Sequence, residues 1–190
     1  PGTYADALEA ANKHQAETNA ISVHAYDTAE TVVGQGTLFC EWEQQGLQAD
    51  TLIIAVGGGG LISGAISWFG KTKKIVAVEP EKCPTLNVAL ENGKPTSVSV
   101  SGVAANALGA KLIGNICFNL SAQNEIESVL VSDSEIVEAQ KLLWEKHRML
   151  VEPAGAAALA AIVSGKYQHS PNEKMAILIC GANPTVAPEF

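Results

Sequence analysis

A run of four glycines, Gly57–Gly60, constrains the fold of this 190-residue chain more than any other feature. The segment before the glycines, Thr51–Val56, is almost entirely apolar and partly β-branched, which is typical of a buried parallel strand. The segment after them, Leu61–Ile66, is apolar and contains no proline, which favours a helix. The sequence therefore predicts a strand that turns sharply into a helix through glycines.

This turn has the properties of a phosphate-binding site. The first backbone N–H groups of a helix have no partner within the helix, and the helix dipole places partial positive charge at the same end. Phosphate groups commonly bind there, and glycine lets the backbone approach a ligand closely. We therefore predict that a phosphate binds at five consecutive residues: Gly57, Gly58, Gly59, Gly60 and Leu61. The alternative interpretation is an ordinary turn between a strand and a helix.

Two common nucleotide-binding motifs fit this loop poorly. The glycines are not followed by Lys and Ser or Thr, so the loop does not match a P-loop. The glycine spacing of a Rossmann dinucleotide site is matched only loosely, by Gly57, Gly59 and Gly64. Glu79 ends the next predicted strand, roughly 20 residues after the loop, where a ribose-binding acid would lie in a dehydrogenase. A non-catalytic phosphate- or nucleotide-binding domain of Rossmann type is therefore the alternative from a different functional class.

Composition and charge exclude several classes of protein. The formal net charge is -8 and Arg148 is the only arginine, which argues against a nucleic-acid surface. No apolar stretch is long enough to span a membrane. The cysteines are widely spaced, without a Cys-x-x-Cys pair, as expected for reduced thiols in a cytoplasmic protein. With 47% hydrophobic and 17% charged residues, the sequence predicts one globular domain over residues 1–190.

Hydrophobic periodicity alternates along the chain between strands and helices. The predicted strands lie at residues 21–25, 51–56, 74–79, 128–131 and 174–180. The predicted helices lie at residues 4–11, 28–45 with an interruption near 34–37, 61–70, 85–90, 108–113, 133–143 and 153–163. Asp27 and Thr28 suit a helix cap, Ser132 and Glu135 suit a capping box, and Pro153 suits a first helical turn. This alternation predicts an α/β fold, in which helices cover both faces of a parallel twisted sheet.

Polar groups follow the last predicted strand, and ligands of open α/β sheets bind beyond the carboxyl ends of strands. Cys180 offers a thiol and Asn183 an amide, and each can make one hydrogen bond to a planar ligand. Taken alone, Cys180 is better interpreted as a small core residue, and Glu152 as a carboxylate stabilised by a helix N-terminus. The histidines show no metal-ligand spacing and no Gly-x-Ser-x-Gly motif occurs, so neither a metal site nor a nucleophile elbow is predicted.

Several stretches, taken together, resemble one family. They are, in chain order, Gly34–Thr37, Val56–Gly64, Val78–Pro80, Gly102–Leu108, Val151–Ala158 and Ile179–Asn183. In order and spacing, over nearly the whole chain, they resemble the serine/threonine dehydratases, which are pyridoxal-phosphate enzymes of the tryptophan-synthase-β type (fold type II). The resemblance implies that the chain forms most of the large, cofactor-binding domain of such an enzyme.

The resemblance also implies roles for particular residues. It implies that residues 57–61 hold the phosphate of the cofactor, that Cys180 faces the pyridine nitrogen, and that Glu152 lies beside the ring, with Asn183 in the same cofactor-binding set. The implied reaction converts L-threonine or L-serine to a 2-oxo acid and ammonia. A serine racemase, a 3-hydroxyaspartate dehydratase or a synthase of the same fold are alternatives. The implied partners are a small amino-acid substrate and further copies of the same chain, as a homo-oligomer.

The main departure from the family pattern is a missing lysine. The family places its Schiff-base lysine well before the glycine loop, but Lys13 is the only lysine before Gly57 and lies in a different context. We therefore predict no catalytic residue in this chain. The expectation is that the chain is the later part of a longer enzyme, inactive without the missing N-terminal part.

Two smaller departures concern other motifs. Asn106 stands between two alanines where many relatives have Ala-Asp-Gly. Some relatives bind a divalent cation through a glutamate and a downstream acid near this strand. Glu79 matches the glutamate, but Thr85 stands about where the acid would be. No metal is therefore predicted.

Overall fold

Four parallel strands form one sheet in the spatial order β3-β2-β1-β4, in a computed structural model that describes residues 4–181. The strands are β1 (Thr51–Ala55), β2 (Lys74–Pro80), β3 (Glu127–Val131) and β4 (Met175–Ile177). The helices are α1 (Tyr4–Thr18), α2 (Ala29–Gln44), α3 (Gly60–Phe69), α4 (Thr85–Asn92), α5 (Ala105–Leu108), α6 (Asn115–Gln123), α7 (Asp133–His147) and α8 (Pro153–Val163). Within this part of the chain, no helix combines the length and the apolar character needed to cross a bilayer.

The central strand β1 explains why both faces of the sheet are covered. All of its residues are buried, and successive side chains point to opposite faces. Leu52 and Ile54 belong to a core with α2, α3, α4 and α6, whereas Ile53 and Ala55 belong to a second core with α7 and α8. A strand that is buried on both sides reads as a continuous apolar run, as Thr51–Val56 does. The predicted α/β fold with helices on both faces is confirmed.

Helices α2 and α3 pack closely against each other where a glycine of one helix faces a glycine of the other. A Cβ added at Gly64 on α3 would lie 2.6 Å from the backbone nitrogen of Gly36 on α2. The interruption predicted near 34–37 is wrong, because α2 runs without a break through these glycines. Their low intrinsic helix propensity is outweighed by the tertiary contact that only glycine permits.

Two other predictions of secondary structure are wrong, because long-range contacts decide both segments. Residues 21–24 form no strand, and Ile21 is 93% exposed, since no strand within the described residues pairs with them. The helix predicted at 108–113 is replaced by the short α5, an irregular segment and α6. The start of α6 is capped from a distant part of the chain, where Asp27 Oδ1 accepts a hydrogen bond of 2.9 Å from the Ile116 N–H.

The chain from Ser132 onward follows its local signals closely. Ser132 and Glu135 form the predicted capping box at the start of α7, and Pro153 occupies the first turn of α8. The last strand is shorter than predicted and ends at Ile177, although the Leu178 N–H still donates to the Ile53 carbonyl at 3.1 Å. The chain beyond β4 therefore continues along the carboxyl edge of the sheet toward the glycine loop.

Candidate cofactor-binding site

A cleft of about 370 Å³ lies at the carboxyl edge of the sheet, where β1 and β4 end. This volume is in the range of small-molecule sites. Its lining comes from six parts of the chain: Ala25, Tyr26, Gln35, Ala55, Gly57, Gly58, Gly59, Gly60, Leu61, Ala105, Asn106, Ala107, Leu108, Gly109, Ala110, Glu152, Ala154 and Cys180. The structure thus brings together the glycine loop, Glu152 and Cys180, although the loop and Cys180 are more than a hundred residues apart in the sequence. Asn183, the remaining predicted site residue, lies outside the described residues.

The glycine loop presents the N-terminus of α3 to this cleft. Gly59 is the residue that caps the helix, with a left-handed φ of 94°, and the helix begins at Gly60. The Ser63 N–H closes the first helical turn by donating to the Gly59 carbonyl at 3.0 Å. The N–H groups of Gly60, Leu61 and Ile62 come before that bond and therefore have no acceptor within the helix. They are the donors that a bound anion would use.

The carbonyl groups of the loop are held on the protein side. The Gly57 carbonyl accepts a hydrogen bond of 3.0 Å from the Thr85 hydroxyl, and the Gly58 carbonyl accepts one of 3.1 Å from the Gly114 N–H. The Gly59 carbonyl accepts a hydrogen bond of 2.6 Å from the Ser63 hydroxyl. Because a peptide plane carries its C=O and N–H in opposite directions, these bonds fix the orientation of the loop amides.

Packing around the loop leaves no room for side chains. A Cβ at Gly57 would lie 3.0 Å from Leu108 Cα, and one at Gly58 would overlap the ring of Tyr26. At Gly59 a side chain would meet Cys117 and would also be strained by the positive φ. The run of glycines is therefore required by the close contact of the loop with its neighbours.

Cys180 and Glu152 face the cleft from the other side, and a fourth glycine contact holds them together. A Cβ at Gly155, in the first turn of α8, would lie 2.9 Å from the Gly181 carbonyl. The start of α8, with Glu152 as its capping residue, therefore packs directly on the segment that carries Cys180. Burial, and then the nearby Glu152 carboxylate, raise the pKa of the Cys180 thiol. The thiol is accordingly neutral and can donate one weak hydrogen bond.

The cleft has almost no charge of its own. Among the described residues that line it, Glu152 is the only one with a charged side chain, and none is a lysine or arginine. An anion in this cleft would therefore be bound by backbone N–H groups and by the dipole of α3.

Glu79 does not reach the cleft, although it ends the strand next to the loop. Its side chain is fully buried, and its carboxylate accepts hydrogen bonds from the Leu86 N–H at 2.7 Å and the Asn87 N–H at 2.8 Å. Burial is the main cause that raises the pKa of Glu79 to about 7, while these hydrogen bonds act in the opposite direction. A carboxylate enclosed in this way cannot hold a ribose. The Rossmann alternative thereby loses the residue on which it depended.

Two cleft residues had no role in the sequence analysis. Gln35 lies in the Gly34–Thr37 stretch and Tyr26 directly follows the predicted strand at 21–25, yet both line the cleft. The Tyr26 ring covers Gly58, and its hydroxyl donates to the Leu112 carbonyl at 3.3 Å. Tyr26 and Asn106 also line a second cleft of about 860 Å³ next to the first. No local pattern predicts these positions, because they depend on contacts between remote segments.

Comparison with known proteins identifies relatives that share most of this chain. Phenylserine dehydratase of Ralstonia pickettii is 30% identical, over 95% of this chain and 56% of the relative. L-threonine ammonia-lyase of Thermotoga maritima is 32% identical, over 94% of this chain and 45% of the relative. The solved structure of maize serine racemase matches 97% of this chain and 58% of its own, with a TM-score of 0.89 and 27% identity.

These relatives differ in the activities that their names state. The chain spans about half the length of the curated relatives it matches and resembles dehydratases and racemases alike. A family model described as "Pyridoxal-phosphate dependent enzyme" matches residues 1–181. The resemblance read from the glycine loop and the accompanying motifs is confirmed, and the chain belongs to the pyridoxal-phosphate-dependent enzyme family.

Proposed function

We propose that the protein containing this chain is a lyase that converts L-threonine or L-serine to a 2-oxo acid and ammonia. The observation that carries this proposal is the single cleft into which the α3 N-terminus, Glu152 and Cys180 all face. The names of two relatives, an L-threonine ammonia-lyase and a phenylserine dehydratase, support an amino acid with a β-hydroxyl as substrate.

The residues of the cleft fit pyridoxal phosphate. Residues 57–61 supply backbone donors for its phosphate, and the cleft is large enough for a pyridine ring with its substituents. When bound, pyridoxal phosphate withdraws electrons from the amino-acid carbon and so makes elimination at the neighbouring carbon feasible. The protein has to bind the phosphate, orient the ring and keep water out, and the buried loop suits these tasks.

Cys180 is the proposed contact of the pyridine nitrogen. Its raised pKa keeps the thiol protonated, so it donates one hydrogen bond and carries no permanent negative charge. A carboxylate at this position would instead favour a protonated ring nitrogen. We therefore assign to Cys180 the role of orienting a neutral ring, and to Glu152 a place beside that ring at the start of α8. Asn183 is proposed as a further contact in the same set.

The remainder of the enzyme is part of this proposal. The Schiff-base lysine is assigned to a missing N-terminal part of the same protein, because Lys13 lies on α1 and does not line the cleft. Ile21 and Val23 are 93% and 81% exposed, and we propose that this apolar segment packs against that missing part. A cytoplasmic homo-oligomer is proposed for the whole enzyme. On this proposal the chain alone, mixed with pyridoxal phosphate, develops no stoichiometric absorbance band of a lysine imine.

The complete protein tests the activity directly. It is incubated with L-threonine and L-serine, and the release of 2-oxo acid and of D-serine is measured. The proposal expects 2-oxo acid as the main product, with loss of activity in Gly59→Ala and retention in Gly93→Ala. Gly93 also has a positive φ but lies in open space at the end of α4, which makes it a matched control. Formation of D-serine without 2-oxo acid would show that the protein is a racemase and not a lyase. The absence of turnover with either substrate would contradict both assignments.

A further inference from the structure

The carboxyl edge of the sheet contains a buried group that the proposed function does not use. Glu79 is fully buried among α4, β2 and β3, and it accepts hydrogen bonds from two backbone N–H groups at the start of α4. The Ser128 hydroxyl donates to the same carboxylate at 3.4 Å. Among the described residues, no lysine or arginine forms a hydrogen bond or an ion pair with Glu79. Burial of a carboxyl group without a positively charged partner costs free energy, which hydrogen bonds from neutral donors offset only in part.

Thr85 connects this carboxylate to the glycine loop. Its hydroxyl lies 3.2 Å from Glu79 Oε1 and 3.0 Å from the Gly57 carbonyl, and the residue is fully buried. A hydroxyl has one proton to donate and can accept as well. Thr85 therefore donates to the Gly57 carbonyl when the neutral carboxyl group of Glu79 donates to Thr85, because one proton cannot serve two acceptors. The Glu79 carboxyl group also accepts hydrogen bonds from the N–H groups at the start of α4 and so holds the helical turn from which the Thr85 side chain projects.

The Gly57 carbonyl is the first of three that fix the loop. Its neighbours, the Gly58 and Gly59 carbonyls, are bonded by Gly114 and Ser63. Of these three donors, only Thr85 contacts a buried carboxyl group. Loss of its hydroxyl would free the peptide plane that joins Gly57 to Gly58. The N–H of this plane belongs to Gly58, which lines the cleft and is one of residues 57–61, the proposed phosphate cradle.

We propose that Thr85 and Glu79 are positioning residues, which orient the Gly57–Gly58 peptide so that the loop donates to a phosphate. This inference rests on the proposed function, because it assigns a task to residues behind the same cradle. Neither residue lines the cleft, so both act through the loop backbone and not by touching a ligand.

The test measures how much of the affinity for a ligand comes from its phosphate. The probes are pyridoxine 5′-phosphate and pyridoxine, which lack an aldehyde and so cannot react with lysines. The ratio of their Kd values, obtained by calorimetry on the full 190-residue chain, defines the phosphate preference. Thr85→Val removes the hydroxyl at constant shape, and we expect the phosphate preference to fall about tenfold. Thr85→Ser keeps the hydroxyl and should keep the preference.

Thr51→Val provides a matched control for lost stability. Thr51 is a buried threonine at the opposite edge of the sheet, where its hydroxyl donates to Glu173. Both valine variants should lower the melting temperature, but only Thr85→Val should lower the phosphate preference. An equal fall in both variants, or an unchanged preference in Thr85→Val, would overturn the inference.

Two further outcomes are decisive. If Thr85→Val shows no cooperative melting, Thr85→Cys replaces it, because a thiol has similar size and donates weakly. The expected loss is then about threefold, and an unchanged preference would again overturn the inference. If the unmodified chain itself shows no phosphate preference, the proposed function fails at its cradle, and this inference fails with it. If the unmodified chain prefers the phosphorylated probe and Thr85→Val keeps that preference, the inference is overturned but the proposed function is not.

Discussion

The two edges of the sheet use carboxylates in opposite ways. At the amino edge, Glu173 accepts hydrogen bonds from Thr51 and Tyr167, which lower its pKa to about 2. At the carboxyl edge, burial raises the pKa of Glu79 to about 7, and its hydrogen bonds go to the backbone of α4.

This contrast separates stability from binding. The amino edge is held together by side chains that bond to one another, including the ion pair of Lys74 with Glu127 at 2.7 Å. The carboxyl edge holds its loop by the carbonyl groups and leaves the N–H groups at the α3 N-terminus without helical acceptors. Changes at the amino edge should therefore affect folding alone, whereas changes at the carboxyl edge should affect ligand binding as well.

The largest expected effect is that of Gly59→Ala. The positive φ and the contact with Cys117 should lower the free energy of unfolding by about 2–4 kcal/mol and abolish measurable binding of pyridoxine 5′-phosphate. Gly93→Ala also imposes a positive φ but meets no neighbour, so it should cost about 1 kcal/mol and leave binding intact. Chemical denaturation and calorimetry measure the two quantities. Normal binding by Gly59→Ala would contradict the assignment of the cradle.

Glu79→Gln should have the next largest effect, and it depends on pH. An acid whose pKa is raised by folding stabilises the fold fully below its unfolded pKa, and that contribution is lost as the pH rises through about 7. The unmodified chain should therefore lose stability between about pH 5 and pH 8. Glutamine cannot titrate and offers one acceptor fewer, so the variant should be about 1–3 kcal/mol less stable at pH 5 and show a flatter profile. Denaturation at several pH values gives the free energy of unfolding of both proteins. The same pH dependence in both would refute the predicted titration of Glu79.

Glu173→Gln should have a smaller effect with the opposite pH dependence. Its pKa is lowered by folding, so its contribution is present above the unfolded pKa and disappears as the pH falls toward about 2. We expect the variant to melt a few degrees lower at pH 7, with the difference shrinking below about pH 4. Affinity for pyridoxine 5′-phosphate should not change. A change in affinity would show that the two edges are coupled.

The smallest expected effect is that of Cys180→Ser. A hydroxyl preserves a neutral donor toward the ring, so the Kd for pyridoxine 5′-phosphate should change by less than about threefold. Cys180→Ala removes the donor and should weaken binding about fivefold. Cys40→Ser, on the outer part of α2, is the control and should have no effect. Equal affinities of all three variants would remove Cys180 from the site.

The sequence predicted those parts of the fold that depend on neighbouring residues. The buried run before Gly57 predicted β1, and Ser132 with Glu135 predicted the start of α7. The glycine loop, Glu152 and Cys180 were assigned to one site, and they line one cleft. The strand β1, the start of α7 and the glycine loop each have a signal within a few residues. Glu152 and Cys180 were instead assigned by the family resemblance, whose motifs extend over nearly the whole chain.

Features that depend on distant contacts could not be predicted in this way. The cap that Asp27 provides for α6 joins residues 89 positions apart, so the helix was missed. The apolar alternation around Ile21 suggested a strand, but no neighbouring strand pairs with it in the described residues. The task of Glu79 was also invisible, because an acid at a strand end looks the same whether it faces a ligand or caps a buried helix.

None of the described residues that line the cleft is a lysine or an arginine, and this affects the salt concentrations at which a ligand can bind. Mobile ions weaken the attraction between exposed charges, but they weaken contacts to buried dipoles much less. Gly59 and Gly60 are buried, so a phosphate bound by their N–H groups would be shielded from the surrounding electrolyte. A phosphate should therefore stay bound in this cleft at ionic strengths at which a cluster of surface lysines would release it.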